Sequence, residues 1–180
     1  MLTQNSKLKK SGIWGFGLAP GMTCPASCKV KCYAAKGMYA RHCKKISAHW
    51  DRNLSATMRL DFEIKMIEEI DHNGCQFVRI HSEGDFYSQE YLNKWISIAK
   101  VRPEVIFYAY TKMHTLDYSR APGNLKIIHS LGGDDSLVDL SRPHARIFSS
   151  AMELAAAGYV DCSKDDLLSI TSGRIGLISH

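Results

Sequence analysis

The sequence predicts an α/β fold: a compact partial (β/α) barrel with a mostly parallel sheet and a cysteine loop after the first strand. Short apolar runs recur along the chain, and helical segments of amphipathic period separate them, which is the signature of βαβ units. Chemistry-bearing residues follow several of these runs directly, as they do in folds whose ligands gather at the carboxyl ends of parallel strands.

The first strand is read from Gly12-Ile13-Trp14-Gly15-Phe16-Gly17-Leu18, which alternates small and large residues and stops at Ala19-Pro20-Gly21. Its glycines allow close backbone approach. Residues 39–70 read as helical, with Ile64, Ile67 and Ile70 at helical spacing and Asp71-His72-Asn73-Gly74 as the stop. Gln76-Phe77-Val78-Arg79-Ile80-His81 is a second strand, running into Ser82-Glu83-Gly84-Asp85. Ser88 is an N-cap, and Tyr91, Leu92, Trp95, Ile96 and Ala99 share one face of the helix it starts. Pro103 ends that helix, and Val105-Ile106-Phe107-Tyr108-Ala109-Tyr110 is a third strand leading to Thr111-Lys112. Further strands are expected over residues 125–130, 146–149 and 174–179, with an alanine-rich segment over residues 152–157.

The 180 residues are of single-domain size. The first eleven read as a flexible basic segment. No run approaches the roughly 18 to 20 apolar residues of a membrane span, and the opening residues lack the apolar stretch of a signal peptide. A cytoplasmic, reducing setting without a membrane partner is therefore expected, where six cysteines serve as ligands or buried thiols rather than disulfides. Charge is uneven: residues 1–60 hold eleven Lys and Arg against one acid, Asp51, while residues 61–180 hold twelve against seventeen. The basic part suits nucleic acid, a phosphorylated ligand, an anionic cofactor or a host protein, or else a plain solvated surface.

Cys24, Cys28 and Cys32 form a Cys-x3-Cys-x3-Cys loop. Three thiolates so close cannot close ordinary disulfides among themselves, but they can wrap one inorganic core. Soft thiolates select iron–sulfur clusters or zinc. Lys29 and Lys31, between them, favour the deprotonated state. If Cys43 or Cys162 supplies a fourth ligand, the site is closed, structural or electron-carrying. With three ligands on a four-iron cluster, one iron keeps a position for a small molecule. Cys75 opens a strand and reads as a packed thiol. Glu83 and Asp85, on either side of Gly84, can hold an amino group, a ribose hydroxyl or a divalent metal, and Lys112 can meet a carboxylate or phosphate. His81 points to the same side as Glu83; His129 and His144 are weaker candidates.

The run from Leu18 to Pro25, then Cys28, Cys32-Tyr33-Ala34 and Lys36-Gly37, resembles a family of small bacteriophage proteins described as the gene product 88 family. So do Val78-Arg79-Ile80-His81-Ser82-Glu83-Gly84-Asp85-Phe86-Tyr87-Ser88-Gln89-Glu90-Tyr91 and Phe107-Tyr108-Ala109-Tyr110-Thr111-Lys112. The likeness covers most of the chain from about residue 12. That family in turn is distantly similar to radical S-adenosylmethionine enzymes, which bind a four-iron cluster through three cysteines after the first strand of a partial barrel. The resemblance implies a 4Fe-4S cluster on Cys24, Cys28 and Cys32, and S-adenosylmethionine held near Glu83, Gly84 and Asp85, with Lys112 and Tyr33 beside it. It also implies one-electron radical chemistry and a host-cell cytoplasmic location. The spacing departs from the enzymes' pattern of three then two intervening residues, and Lys31 stands where they carry an aromatic, with Tyr33 just after the third cysteine. The alternative is a non-catalytic module, held by zinc or a closed cluster, that binds nucleic acid or a host protein.

Overall fold

A computed structural model describes residues 1–28, 32 and 43–179, and of Cys43 the backbone alone. Among these residues seven strands run parallel in one curled sheet: β1 (Ile13–Phe16), β2 (Phe77–Ile80), β3 (Ile106–Thr111), β4 (Leu125–Ser130), β5 (His144–Phe148), β6 (Val160–Asp161) and β7 (Arg174–Ile178). Their order is β1-β2-β3-β4-β5-β7-β6, and the curl makes a half-barrel. The expected partial barrel is thus the observed one.

Parallel neighbours need crossovers, and helices supply most of them. Between β1 and β2 lie α2 (Cys43–Thr57) and α3 (Phe62–His72), and α4 (Gln89–Val101) joins β2 to β3. The short helices α5 (Ala151–Ala156) and α6 (Leu167–Thr171) flank β6, and α1 (Ser6–Lys10) precedes β1. The outer face of the sheet gives Phe16, Val78, Ile80, Phe107 and Ala109 to a core closed by Phe62, Met66 and Ile70 of α3 and by Tyr91, Leu92, Trp95 and Ile96 of α4. The predicted face of α4 is buried, and Ser88 caps it, its hydroxyl accepting from Tyr91 N at 3.1 Å. Each such large side chain contributes about 1.5–3 kcal/mol of burial.

Three expectations need correction. The helical run over residues 39–70 is two helices, with residues 39–42 outside the described set. The break is made by neighbours: Lys94 Nζ donates to the Thr57 carbonyl at 2.8 Å, and Arg59 clamps Asp61 at 2.8 and 3.0 Å. The buried stripe of α3 is Phe62, Met66 and Ile70, while Ile64 is 61% exposed. Residues 1–11 are docked rather than loose. Thr3 bridges Gly15 through two 2.8 Å bonds, the Met1 ammonium meets Glu69 at 2.7 Å, and Asn5 caps α1. Leu8, 2% exposed, then enters a second core on the inner face with Ile13, Tyr108, Ile128, Cys162 and Ile175.

Candidate cofactor and ligand site

The ladder between β1 and β2 continues past the strands. Ser82 N donates to Phe16 O at 2.7 Å, and Leu18 N donates to Glu83 O at 2.9 Å. This carries Ser82-Glu83-Gly84-Asp85 across the end of β1. The close approach needs glycine twice. A Cβ on Gly17 would lie 2.5 Å from Glu83 Oε2, and Gly84 has φ +81° with its missing Cβ 2.6 Å from Thr23 Oγ1 and 2.7 Å from Leu18 Cβ. Glu83 is set against Gly17 near the indole of Trp50.

Asp85 is buried and ties three segments together. Its carboxylate accepts from Phe86 N at 2.8 Å, Thr111 Oγ1 at 2.6 Å and Lys112 N at 2.7 Å. Its own N–H reaches Thr23 Oγ1 at 3.2 Å, next to Cys24. Burial pushes its carboxyl up to about 6 against the pull of these donors. Lys112 Nζ donates to Ser130 Oγ at 2.6 Å. His81 sits at φ 63° and is buried, with Nε2 3.0 Å from Tyr91 OH, its ring edge-on to Phe86, and Nδ1 without a hydrogen-bond partner. Burial, helped by Arg79, lowers its pKa to about 3, so the ring stays neutral.

These residues share one cavity of about 690 Å³ with Cys24, Cys28 and Cys32. All three are free, half-buried thiols. Burial pushes the Cys24 thiol up, and Asp85, Cys28 and Cys32 push the same way, opposed by a backbone bond from Gly21. Among the described residues no three His, Cys, Asp or Glu side chains converge closely enough to hold a metal ion as they stand. Lys29, Lys31, Tyr33 and the side chain of Cys43 lie outside the described residues. Cys162 lies beneath the cavity in the inner core, its thiol 3.5 Å from Val160 O, and Cys75 is a buried thiol raised to about 11 by burial. His144 is engaged by Arg142 O and Tyr159 OH, and His129 by His114.

The cavity floor was not singled out from the sequence. Arg79 and Tyr110 reach it from β2 and β3, Lys7 from α1, and Asp166 from the start of α6. Arg79 alternates with Phe77 and His81 along β2, so a charged side chain aimed into the half-barrel was the available signal. Lys7 and Asp166 carry none, because their meeting depends on the full topology. Of the other basic residues in the first third, Lys9, Lys10, Lys44, Lys45, Arg52 and Arg59 are exposed. No helix among the described residues is long and apolar enough to cross a membrane.

Residues 1–176 match the family described as Gene product 88. The Gene 88 proteins of Mycobacterium phage L5 and Mycobacterium phage D29 are 30% and 29% identical over 145 residues, covering 71% of this chain and 59% of each relative. The chain therefore spans less than two thirds of the length of those relatives. No solved structure matches.

Proposed function

We propose, for a chain that belongs to the gene product 88 family of bacteriophage proteins, that Cys24, Cys28 and Cys32 hold a four-iron cluster at the mouth of the half-barrel, and that the cavity beneath binds a small molecule against it. One observation carries this reading: three unpaired thiols line the same cavity as Glu83, at the carboxyl ends of parallel strands. The donor set fits the group in chemistry and in side, since thiolates are its ligands. It is not a ready-made cage for a single ion, which needs sulfurs converging at about 2.3 Å from one centre. A cluster held by these thiols would set positive iron against the electrostatic penalty that the neighbouring thiols and Asp85 place on a Cys24 thiolate.

When bound, the cluster supplies single electrons to whatever ligand takes its open position. The chain's own residues bind and orient. S-adenosylmethionine is the ligand that the motif resemblance suggests, with Glu83 facing its amino group and Lys112 its carboxylate. Asp85 has a positioning role in this reading, because both carboxylate oxygens are already engaged and one of them holds Lys112 N.

The test is anaerobic reconstitution with ferrous iron and sulfide. The expected result is iron and sulfide in equal amounts, with a broad visible absorption that disappears when Cys28 is replaced by Ala. Added S-adenosylmethionine should change the electron paramagnetic signal of the reduced protein. A colourless chain carrying stoichiometric zinc overturns this reading in favour of a metal-held binding module.

A further inference from the structure

The turn that carries β2 into the cavity rim has a cost that folding alone does not explain. His81 is the one non-glycine residue at positive φ among the described residues, at 63°. It is 3% exposed, yet its Nδ1 has no hydrogen-bond partner. Positive φ strains a residue that carries a Cβ, and an unpaired buried ring nitrogen gives up its water contacts without replacement. Glycine would take the same backbone without strain, and an apolar ring would fill the same space without an orphaned nitrogen. Strand alternation would also send His81 inward with Arg79. Its ring lies instead against Phe86, 4.4 Å away by centroids, and Tyr91, 5.6 Å away, both members of the outer core. What a histidine adds there is the hydrogen bond between its Nε2 and the Tyr91 hydroxyl at 3.0 Å.

That ring gathers both ends of the rim loop. Its contact with Phe86 closes residues 81–86 on themselves, and the Tyr91 hydroxyl fastens the loop to α4. Tyr91 is steadied in turn by Tyr87, stacked on it at 4.6 Å and 8°, whose hydroxyl lies 2.8 Å from Thr57 Oγ1 at the end of α2. Within the loop, Ser82 N donates to Phe16 O, Leu18 N donates to Glu83 O, and the Asp85 carboxylate accepts from Lys112 N. Backbone strain collects at residues whose geometry is used, and persists where the surroundings hold it in place. We infer that His81 is a positioning residue: held by Tyr91, it fixes the left-handed turn that presents Glu83 to a ligand in the cavity and brings Asp85 to the end of β3. It acts through those two carboxylates. This inference rests on the reading of the cavity as a ligand site, and it does not depend on iron.

The experiment compares the cluster-free wild-type chain with Tyr91→Phe, which keeps the ring and removes the hydroxyl, and with His81→Gly, which keeps the backbone conformation and removes the imidazole. Amide hydrogen exchange is followed residue by residue by NMR, with circular dichroism to show that each variant is folded. In Tyr91→Phe, loss of one buried hydrogen bond should speed exchange about tenfold at Leu18, Ser82 and Lys112, while Phe107 and Leu131, bonded to Asn124 O and Ala145 O, stay within about twofold. His81→Gly should speed the same rim amides. A plain packing role would speed all of these amides together in Tyr91→Phe; that result overturns the inference, as does unchanged exchange at the rim in either variant. Reconstituted protein is also titrated with S-adenosylhomocysteine. Tyr91→Phe should weaken its binding about tenfold, while Lys100→Gln, in the last turn of α4 and exposed, leaves it unchanged. Wild-type affinity in folded Tyr91→Phe overturns the inference. If the wild type does not bind this probe, that class of ligand is excluded, and the exchange pattern, which needs neither ligand nor iron, supports or overturns the positioning on its own.

Discussion

Replacing Asp166 by Asn should be among the most destabilising nearly isosteric changes available in this chain. The carboxylate is the shared acceptor for Lys7, Arg79 and Tyr108 at 2.5–2.8 Å. Burial alone would raise its pKa, yet Arg79, Lys7 and Tyr108 together hold it below the usual carboxylate range, so the pair of cations outweighs desolvation. Removing one partner of a buried ion pair costs about 3–5 kcal/mol, because the remaining charges lose their counter-ion. Asparagine keeps one acceptor oxygen, and Lys7 is partly solvated, so the low end, about 3 kcal/mol, is expected. For a chain of this length that is a fall of roughly 6–12 °C in thermal midpoint. Urea unfolding at pH 7 measures it directly. The sign with pH is also fixed: a depressed carboxyl contributes stability that is present above its unfolded value of about 3.9 and lost as pH falls through the folded value. The variant should therefore lose part of the wild-type acid sensitivity below about pH 4. A loss of under 1 kcal/mol with an unchanged acid limb would falsify the claim that this network is desolvated and strongly coupled.

Other outcomes follow from the same geometry. His81, lowered to about 3 and unprotonated in the fold, contributes stability that is present above about pH 6.5 and falls by about 1.4 kcal/mol per unit below it. Asp85, raised to about 6, contributes in the opposite sense, its share being full below about 3.9 and lost as pH rises through 6. Urea midpoints at pH 7 and pH 5 should then diverge between wild type and His81→Gln by about 2 kcal/mol, and parallel midpoints would refute the buried neutral ring. Gly84→Ala forces a Cβ into Thr23 and Leu18 at positive φ and should cost about 2 kcal/mol or more by calorimetry, with reduced iron loading. Cys162→Ala should leave iron content intact, whereas Cys24→Ala or Cys32→Ala should abolish it; metal analysis decides, and loss of iron in the Cys162 variant would place that thiol in the ligand set.

Much of this architecture was legible because its signals are local. The runs 76–81 and 105–110 announce strands by composition, and Ser88 with Tyr91, Leu92, Trp95, Ile96 and Ala99 writes a capped amphipathic helix within a dozen residues. The rim was legible for the same reason, since each of its motifs directly follows a strand. What stayed hidden depends on distant partners. The end of α2 at Thr57 is held by Lys94 of α4 and by Tyr87, both far along the chain, and Ile64 fits a helical period that the packing of Phe62 and Met66 rotates outward. The basic start looks like a tail until Met1, Leu8 and Lys7 are seen meeting residues that come much later. Tyr108 and Tyr110 are two apolar positions of a strand run in the sequence, and only the fold brings their hydroxyls to Asp166 and Ser169.

Helix α1 spans from β1 to the segment between β6 and α6, joining Lys7 to Asp166. A nascent chain emerging from the ribosome carries its thiol loop early, yet lacks the opposite side of the chamber until the residues around 166 are free to meet the first turn. Closure of the cavity is thereby tied to contact between the two ends of the half-barrel, and an extension fused ahead of Met1 would press on the Met1–Glu69 contact at α3.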